Sequence, residues 1–160
     1  MQVKFSKKTI DELEALASHY AQRRAALLPA LYLAQREFGY LSLEAVEASA
    51  ELVGCTPAQA LEVAEFYTMY KKKAGGKHHL QVCRTLSCML NGSEEVQRVI
   101  ERKLGLKNGE TTPDGLFSYQ KVECLAACHV GPCLQVNDEF YQNMTPQKTE
   151  EIIDRLKKNS

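Results

Sequence analysis

Four of the six cysteines in this 160-residue chain form two close pairs, Cys83 and Cys88 in CRTLSC and Cys124 and Cys128 in CLAAC. Thiolate sulfur is a soft ligand that suits iron bridged by sulfide, and four such sulfurs are the usual set for an iron–sulfur cluster. A dinuclear rhomb needs two sulfurs per iron, which C-x4-C and C-x3-C can supply from one loop each. Other chemistry competes for the same residues. Structural zinc also takes four cysteines, although these spacings are at the wide end of its range. A redox dithiol needs C-x-x-C, which neither pair has. A Rieske centre needs two histidine ligands, and His129 directly follows Cys128 without a C-x-H pattern. Four inert buried thiols in two tight pairs are the bland alternative. Cys133, after Gly131-Pro132, is a credible substitute ligand. Cys55 lies far away in sequence, and His19, His78 and His79 have no ligand spacing.

The rest of the composition narrows the function classes. Lysine plus arginine and aspartate plus glutamate number 20 each, so there is no basic excess for nucleic acid. No run approaches the roughly 20 apolar residues that cross a bilayer, so no direct membrane insertion is expected. The start, MQVKFSKKTIDELEAL, lacks the apolar core and cleavage site of a secretory signal. A reducing compartment follows, where cysteines serve as metal ligands or catalytic groups more often than as disulfides.

The elements that must hold these sulfurs can be read from caps and periodicity. A helix is predicted to open at Thr9, with Glu12 completing a capping box. LLPALYLAQREF reads as a second helix, stopped by Gly39. A third follows Ser42 and ends at Gly54. A fourth opens at Thr56 with Pro57 at its first position and Gln59 able to reach back. Its continuation, ALEVAEFYTMY, is apolar on more than one face, which reads as a core helix ahead of a partner-binding one. KKKAGGKHH then has the chemistry of a linker. Beyond it come a strand in HLQVCR, a helix through EEVQRVIERKLGL capped by Ser93 and closed by Gly105, a strand in LFSYQKVEC and a candidate hairpin in CLQVNDEFY broken at Asn137-Asp138. A last helix opens at Thr145-Pro146. Both cysteine pairs therefore follow strands, at the sheet edge where open α/β folds usually build sites.

The expected fold class is mixed α and β. An N-terminal helical region, residues 1–73, and a linker, 74–79, precede a thioredoxin-like domain with a small mixed sheet, 80–160.

With these segments together, the sequence resembles the small iron–sulfur subunit of the NADH-dehydrogenase module of respiratory complex I, the NuoE type. The carrying stretches are LPALYLAQREFGYLS, LEVAEFYTMY, CRTLSC, ECLAAC and HVGPCLQVND. Stand-alone thioredoxin-like ferredoxins space their first two cysteines further apart and lack the helical region. The resemblance implies one [2Fe–2S] cluster on Cys83, Cys88, Cys124 and Cys128, and no catalytic acid, base or nucleophile. It implies an electron-transfer subunit of an NADH:quinone oxidoreductase whose NADH and flavin mononucleotide (FMN) are bound by a NuoF-type flavoprotein partner. The absence of a Gly-rich nucleotide loop agrees. It further implies a cytoplasmic location, peripheral on the inner membrane through the larger complex. The same subunit type recurs in NAD-linked hydrogenases and formate dehydrogenases, and a free ferredoxin and a zinc module remain as alternatives. Two positions depart from the family's habit. Ala126 stands where glycine is frequent, and Glu65 where a small hydroxyl residue is common.

Overall fold

The computed structural model describes residues 3–159, and the chain divides between Ala74 and Gly75 into two compact units. The first is wholly helical: α1 (Lys7–Ala17), a 3-10 turn (Arg23–Ala26), α2 (Leu27–Phe38), α3 (Leu43–Val53) and α4 (Pro57–Phe66). Its core joins Leu13 of α1, Leu27 and Leu31 of α2, Val46 and Val53 of α3, and Ala60 and Ala64 of α4. Burying a side chain of leucine or valine size contributes about 1.5–3 kcal/mol.

Local chemistry sets the helix ends. Gly39 (φ +83°) and Gly54 (φ +75°) close α2 and α3 in the left-handed conformation that glycine adopts without a Cβ penalty. Thr56 and Gln59 form the expected reciprocal box on α4. The first helix, however, starts earlier than Thr9. Ser6 caps it, accepting from the Thr9 N–H at 3.3 Å, so Thr9 is a first-turn residue. The fourth helix also ends sooner than its apolar pattern suggests. Tyr67 is extended, and the chain beyond it is held by side chains instead. The Lys71 N–H donates to Gln35 Oε1 (2.5 Å), Gln35 Nε2 to the Met69 carbonyl (3.1 Å), and Tyr70 Oη to the Leu28 carbonyl (2.9 Å). Only Ala60 and Ala64 of α4 are buried, while Leu61, Phe66, Tyr67 and Met69 stay exposed. The core-helix reading of this segment is therefore corrected: Ala60, Ala64 and Tyr70 face the core, while Leu61, Phe66, Tyr67 and Met69 do not.

The second unit contains β1 (His78–Cys83), α5 (Leu86–Leu90), α6 (Ser93–Leu104), β2 (Phe117–Val122), β3 (Leu134–Val136), β4 (Glu139–Tyr141) and α7 (Pro146–Lys158). The sheet order is β2-β1-β3-β4. β1 runs parallel to β2 and antiparallel to β3, and β3 pairs antiparallel with β4 through the Asn137-Asp138 turn. Asn137 takes φ +52° there, a conformation asparagine tolerates. The ladder begins at His78, opposite Phe117. Leu80 and Val82 of β1 pack with Val96 and Ile100 of α6 and with Ile152 and Ile153 of α7. Arg102–Glu150 (2.9 Å) and Lys103–Asp154 (2.7 Å) link the two helices. Gly92 (φ +93°), not Ser93, is the residue before α6, and the Ser93 hydroxyl is buried without a hydrogen-bond partner among the described residues.

Candidate metal centre

Parallel pairing brings the two cysteine pairs to one edge of the sheet. Cys83, the last residue of β1, sits opposite Val122, the last of β2. The ladder extends one step further, where the Arg84 N–H donates to the Val122 carbonyl (3.0 Å), and Arg84 Nε reaches Glu123 Oε1 at 3.0 Å. Cys124 follows immediately. From this edge the first loop turns into α5, which carries Cys88, and the second into a 3-10 turn that opens with Cys128. Ser87 Oγ donates to the Cys128 carbonyl at 2.8 Å and fastens one loop to the other.

The two pairs differ in exposure. Cys83 and Cys88 are buried, each 1% exposed, whereas Cys124 and Cys128 are open to solvent. Cys124 Sγ and Cys128 Sγ lie 3.4 Å apart, and the Ala126 N–H points at Cys124 Sγ (3.3 Å). Cys83 Sγ lies 3.2 Å from Thr85 Oγ1. Burial pushes the Cys83 thiol up. Hydrogen bonds from the Thr85 hydroxyl and backbone, the Cys88 thiol and the Leu125 backbone outweigh it, leaving Cys83 below its ordinary value. Burial, reinforced by the Cys83 partner, drives Cys88 up to about 12. The hydrogen bond to Cys124 raises Cys128.

The backbone around these sulfurs is tightly constrained. Ala126 has φ +61°, so a residue with a Cβ occupies the left-handed region at the middle of the second loop. A Cβ on Gly131 would stand 3.0 Å from Cys88 Sγ and 3.5 Å from Cys88 Cα. Glycine there leaves room around that sulfur. Cys133 is a third thiol in the buried cluster that holds Cys83, Cys88 and Ala127. Its S–H donates to the Ala127 carbonyl at 3.3 Å, its own carbonyl accepts from the Cys83 N–H at 3.2 Å, and burial raises its pKa. Cys55 belongs to the helical unit, packed half-buried against that core. His129 is exposed on the 3-10 turn, and His79 Nδ1 pairs with Ser118 Oγ at 2.8 Å. Among the described residues, no three cysteine, histidine, aspartate or glutamate side chains converge as a site for a single ion. Sequence reasoning missed Thr85, Ser87 and Gly131. Only the threonine and serine hydroxyls inside C-x4-C offered a signal.

The thioredoxin-like [2Fe-2S] ferredoxin family matches residues 13–157, and the chain belongs to it. Within that class, relatives similar to it are subunits of NADH-quinone oxidoreductase. The E-type subunit of that enzyme from Rickettsia bellii is 42% identical over 156 residues, covering 96% of this chain and 93% of the relative. The subunit numbered 2 of the Thermus thermophilus enzyme is 53% identical over 119 residues, 74% of this chain and 66% of that one. A crystal structure of an air-oxidised NAD+-reducing [NiFe]-hydrogenase shares the fold, with a TM-score of 0.73 at 14% identity over 83% of this chain and 23% of that chain.

Proposed function

We propose that this chain is the electron-transfer subunit of an NADH-quinone oxidoreductase and carries one [2Fe–2S] cluster on Cys83, Cys88, Cys124 and Cys128. The observation that carries the reading is the parallel pairing of β1 with β2, which ends both strands at the two cysteine loops. The donor set fits. Four thiols stand as two pairs, a 3.4 Å sulfur contact joins Cys124 to Cys128, and Gly131 leaves the space beside Cys88 free of a side chain. Two close cysteine pairs supply two sulfurs for each iron of a dinuclear group. The likeness to the Rickettsia bellii relative across nearly the full length of both chains supports the assembly.

When bound, the cluster supplies one-electron chemistry. The protein's own part is to hold it and to shape its surroundings. Cys83 and Cys88 anchor the buried end, and Cys124 and Cys128 occupy the end open to a partner. The partner in this reading is a NuoF-type flavoprotein that binds NADH and FMN and exchanges electrons with the cluster. The helical region, residues 1–73, is the docking unit; His78 and His79, expected in a linker of residues 74–79, already pair in β1, so residues 74–77 lead into the cluster domain. Exposed Phe66 and Met69 in the first unit, and Leu86 and Leu90 on α5 beside Cys88, offer apolar anchors for such contacts. No helix among the described residues is long and apolar enough to cross a membrane. Attachment on the cytoplasmic face of the inner membrane comes through the complex.

The test is co-purification of the full chain with the flavoprotein, followed by reduction with NADH. The complex should reduce the cluster within turnover, and F66D with M69E should weaken the association while leaving the visible spectrum unchanged. An intact complex whose cluster NADH never reduces would overturn the electron-transfer reading.

A further inference from the structure

The hydroxyl of Thr85 does not do what its position prescribes. Thr85 is the residue before α5, where a threonine side chain ordinarily accepts a hydrogen bond from the first turn of the helix. Ser6, Ser42, Thr56 and Thr145 all do this at α1, α3, α4 and α7. Thr85 makes no such bond. Its Oγ1 is turned to Cys83 Sγ instead, 3.2 Å away, against a residue that is 1% exposed. The helix start forgoes its cap and the sulfur gains a neighbour.

Which atom donates depends on the state of the sulfur. A free thiol and a hydroxyl can each donate to the other. An iron-bound thiolate has no proton, so the hydroxyl must donate and the sulfur accept. We propose that Thr85 donates a hydrogen bond to the Cys83 sulfur and thereby raises the reduction potential of the bound cluster. This rests on the reading of Cys83 as a ligand.

The electron balance gives the sign. One electron arrives from the reduced flavin of the partner, one ferric ion becomes ferrous, and no bond is made or broken at the protein. The four ligand sulfurs then share an additional negative charge. A hydrogen bond strengthens as its acceptor becomes more negative, and it does so most where water is excluded. The Thr85 hydroxyl therefore favours the reduced form over the oxidised one, in line with the control that hydrogen bonds to sulfur exert on cluster potentials. Thr85 acts through Cys83 and is a positioning residue in the electron-transfer site. A structural role in capping α5 would leave the potential unmoved, because that cap is not made.

Thr85→Val removes the hydroxyl and keeps the branched shape, Thr85→Ala removes it with less bulk, and Thr85→Ser keeps it. Full-length wild type and the three variants are loaded, checked for equal iron and sulfide content, and titrated with the reduced electron paramagnetic resonance signal as readout. The midpoint should fall in T85V and T85A and return towards wild type in T85S. Deuterium exchange should abolish one exchangeable proton coupling in wild type and T85S that T85V lacks. A wild-type midpoint in T85V or T85A overturns the proposal and leaves the ligand reading standing. A C83S protein with the wild-type iron content and spectrum overturns both.

Discussion

Replacing Ala126 by glycine should stabilise the cluster domain. Ala126 holds φ +61°, where a side chain with a Cβ pays roughly 1–2 kcal/mol against the following carbonyl. Glycine removes that cost but enters the folded state from a freer unfolded chain, a loss of about 0.5–1 kcal/mol. The Ala126 side chain is exposed, so truncation forfeits no packing, and the N–H that points at Cys124 Sγ at 3.3 Å is kept. The net expectation is a gain of about 0.5–1 kcal/mol. A126V, with a branched side chain forced into the same region, should lose at least about 1 kcal/mol. Guanidinium titrations of the three apoproteins, followed by circular dichroism and analysed for midpoints at constant slope, measure both shifts. An A126G protein less stable than wild type, or an A126V protein equal to it, would refute the claim that the loop is strained at this residue.

Three further outcomes follow from the same reasoning. Ser93→Ala should leave stability unchanged or raise it by up to about 1 kcal/mol, since it deletes a buried hydroxyl without a partner among the described residues. A loss of about 1 kcal/mol in the same denaturation assay would mean that Ser93 caps α6 after all. Gly131→Ala puts a Cβ 3.0 Å from Cys88 Sγ, and overpacking of this kind costs about 1–3 kcal/mol. The visible absorbance of the loaded variant should decay faster in air than that of wild type, and equal decay would contradict the close approach. In the helical unit, hydrogen bonds from Arg36 and Arg23 hold Glu12 and Glu14 below their ordinary 4.5. Their stabilisation is present above that value and is lost as pH falls through the lowered folded values. The E12Q/E14Q protein should therefore show a flatter acid limb than wild type in a stability-against-pH profile, and parallel limbs would refute this.

Much of the fold was legible because its signals are local. Gly39, Gly54 and the Thr56–Gln59 box mark helix ends through backbone conformation and reciprocal donors, which neighbours in sequence determine. The break at Asn137-Asp138 is of the same kind. The misreadings have physical causes too. Ser6 displaced Thr9 as the first cap because either hydroxyl suits the position and only the path of the chain decides. Gly92 took the place expected for Ser93 because its left-handed conformation turns the chain into α6. α5 is five residues long, too short for helical periodicity to register. The apolar run after Thr56 looked like a core helix because composition does not tell which side small residues such as Ala60 and Ala64 will face.

The candidate site divides along the same line. Spacing alone singled out Cys83, Cys88, Cys124 and Cys128. The pairing of β1 with β2 that brings their loops to one edge depends on residues about 40 positions apart, beyond the reach of any local pattern. The difference between a buried and an exposed sulfur pair arises from packing, as does the diversion of the Thr85 hydroxyl to Cys83. Ala126 was notable in the sequence only for not being glycine, and its φ gives that observation a physical meaning.

The central claim is that four named thiolates hold one [2Fe–2S] cluster. It is tested most directly by the visible spectrum and iron content of anaerobically purified protein, with electron paramagnetic resonance after dithionite. Wild type should be brown, bleach on reduction and give one spin-half signal. C83S, C88S, C124S and C128S should each change or lose that signal, whereas C55S and C133S should keep it. A colourless wild type with stoichiometric zinc, or a C55S protein that loses its cluster, would contradict the account.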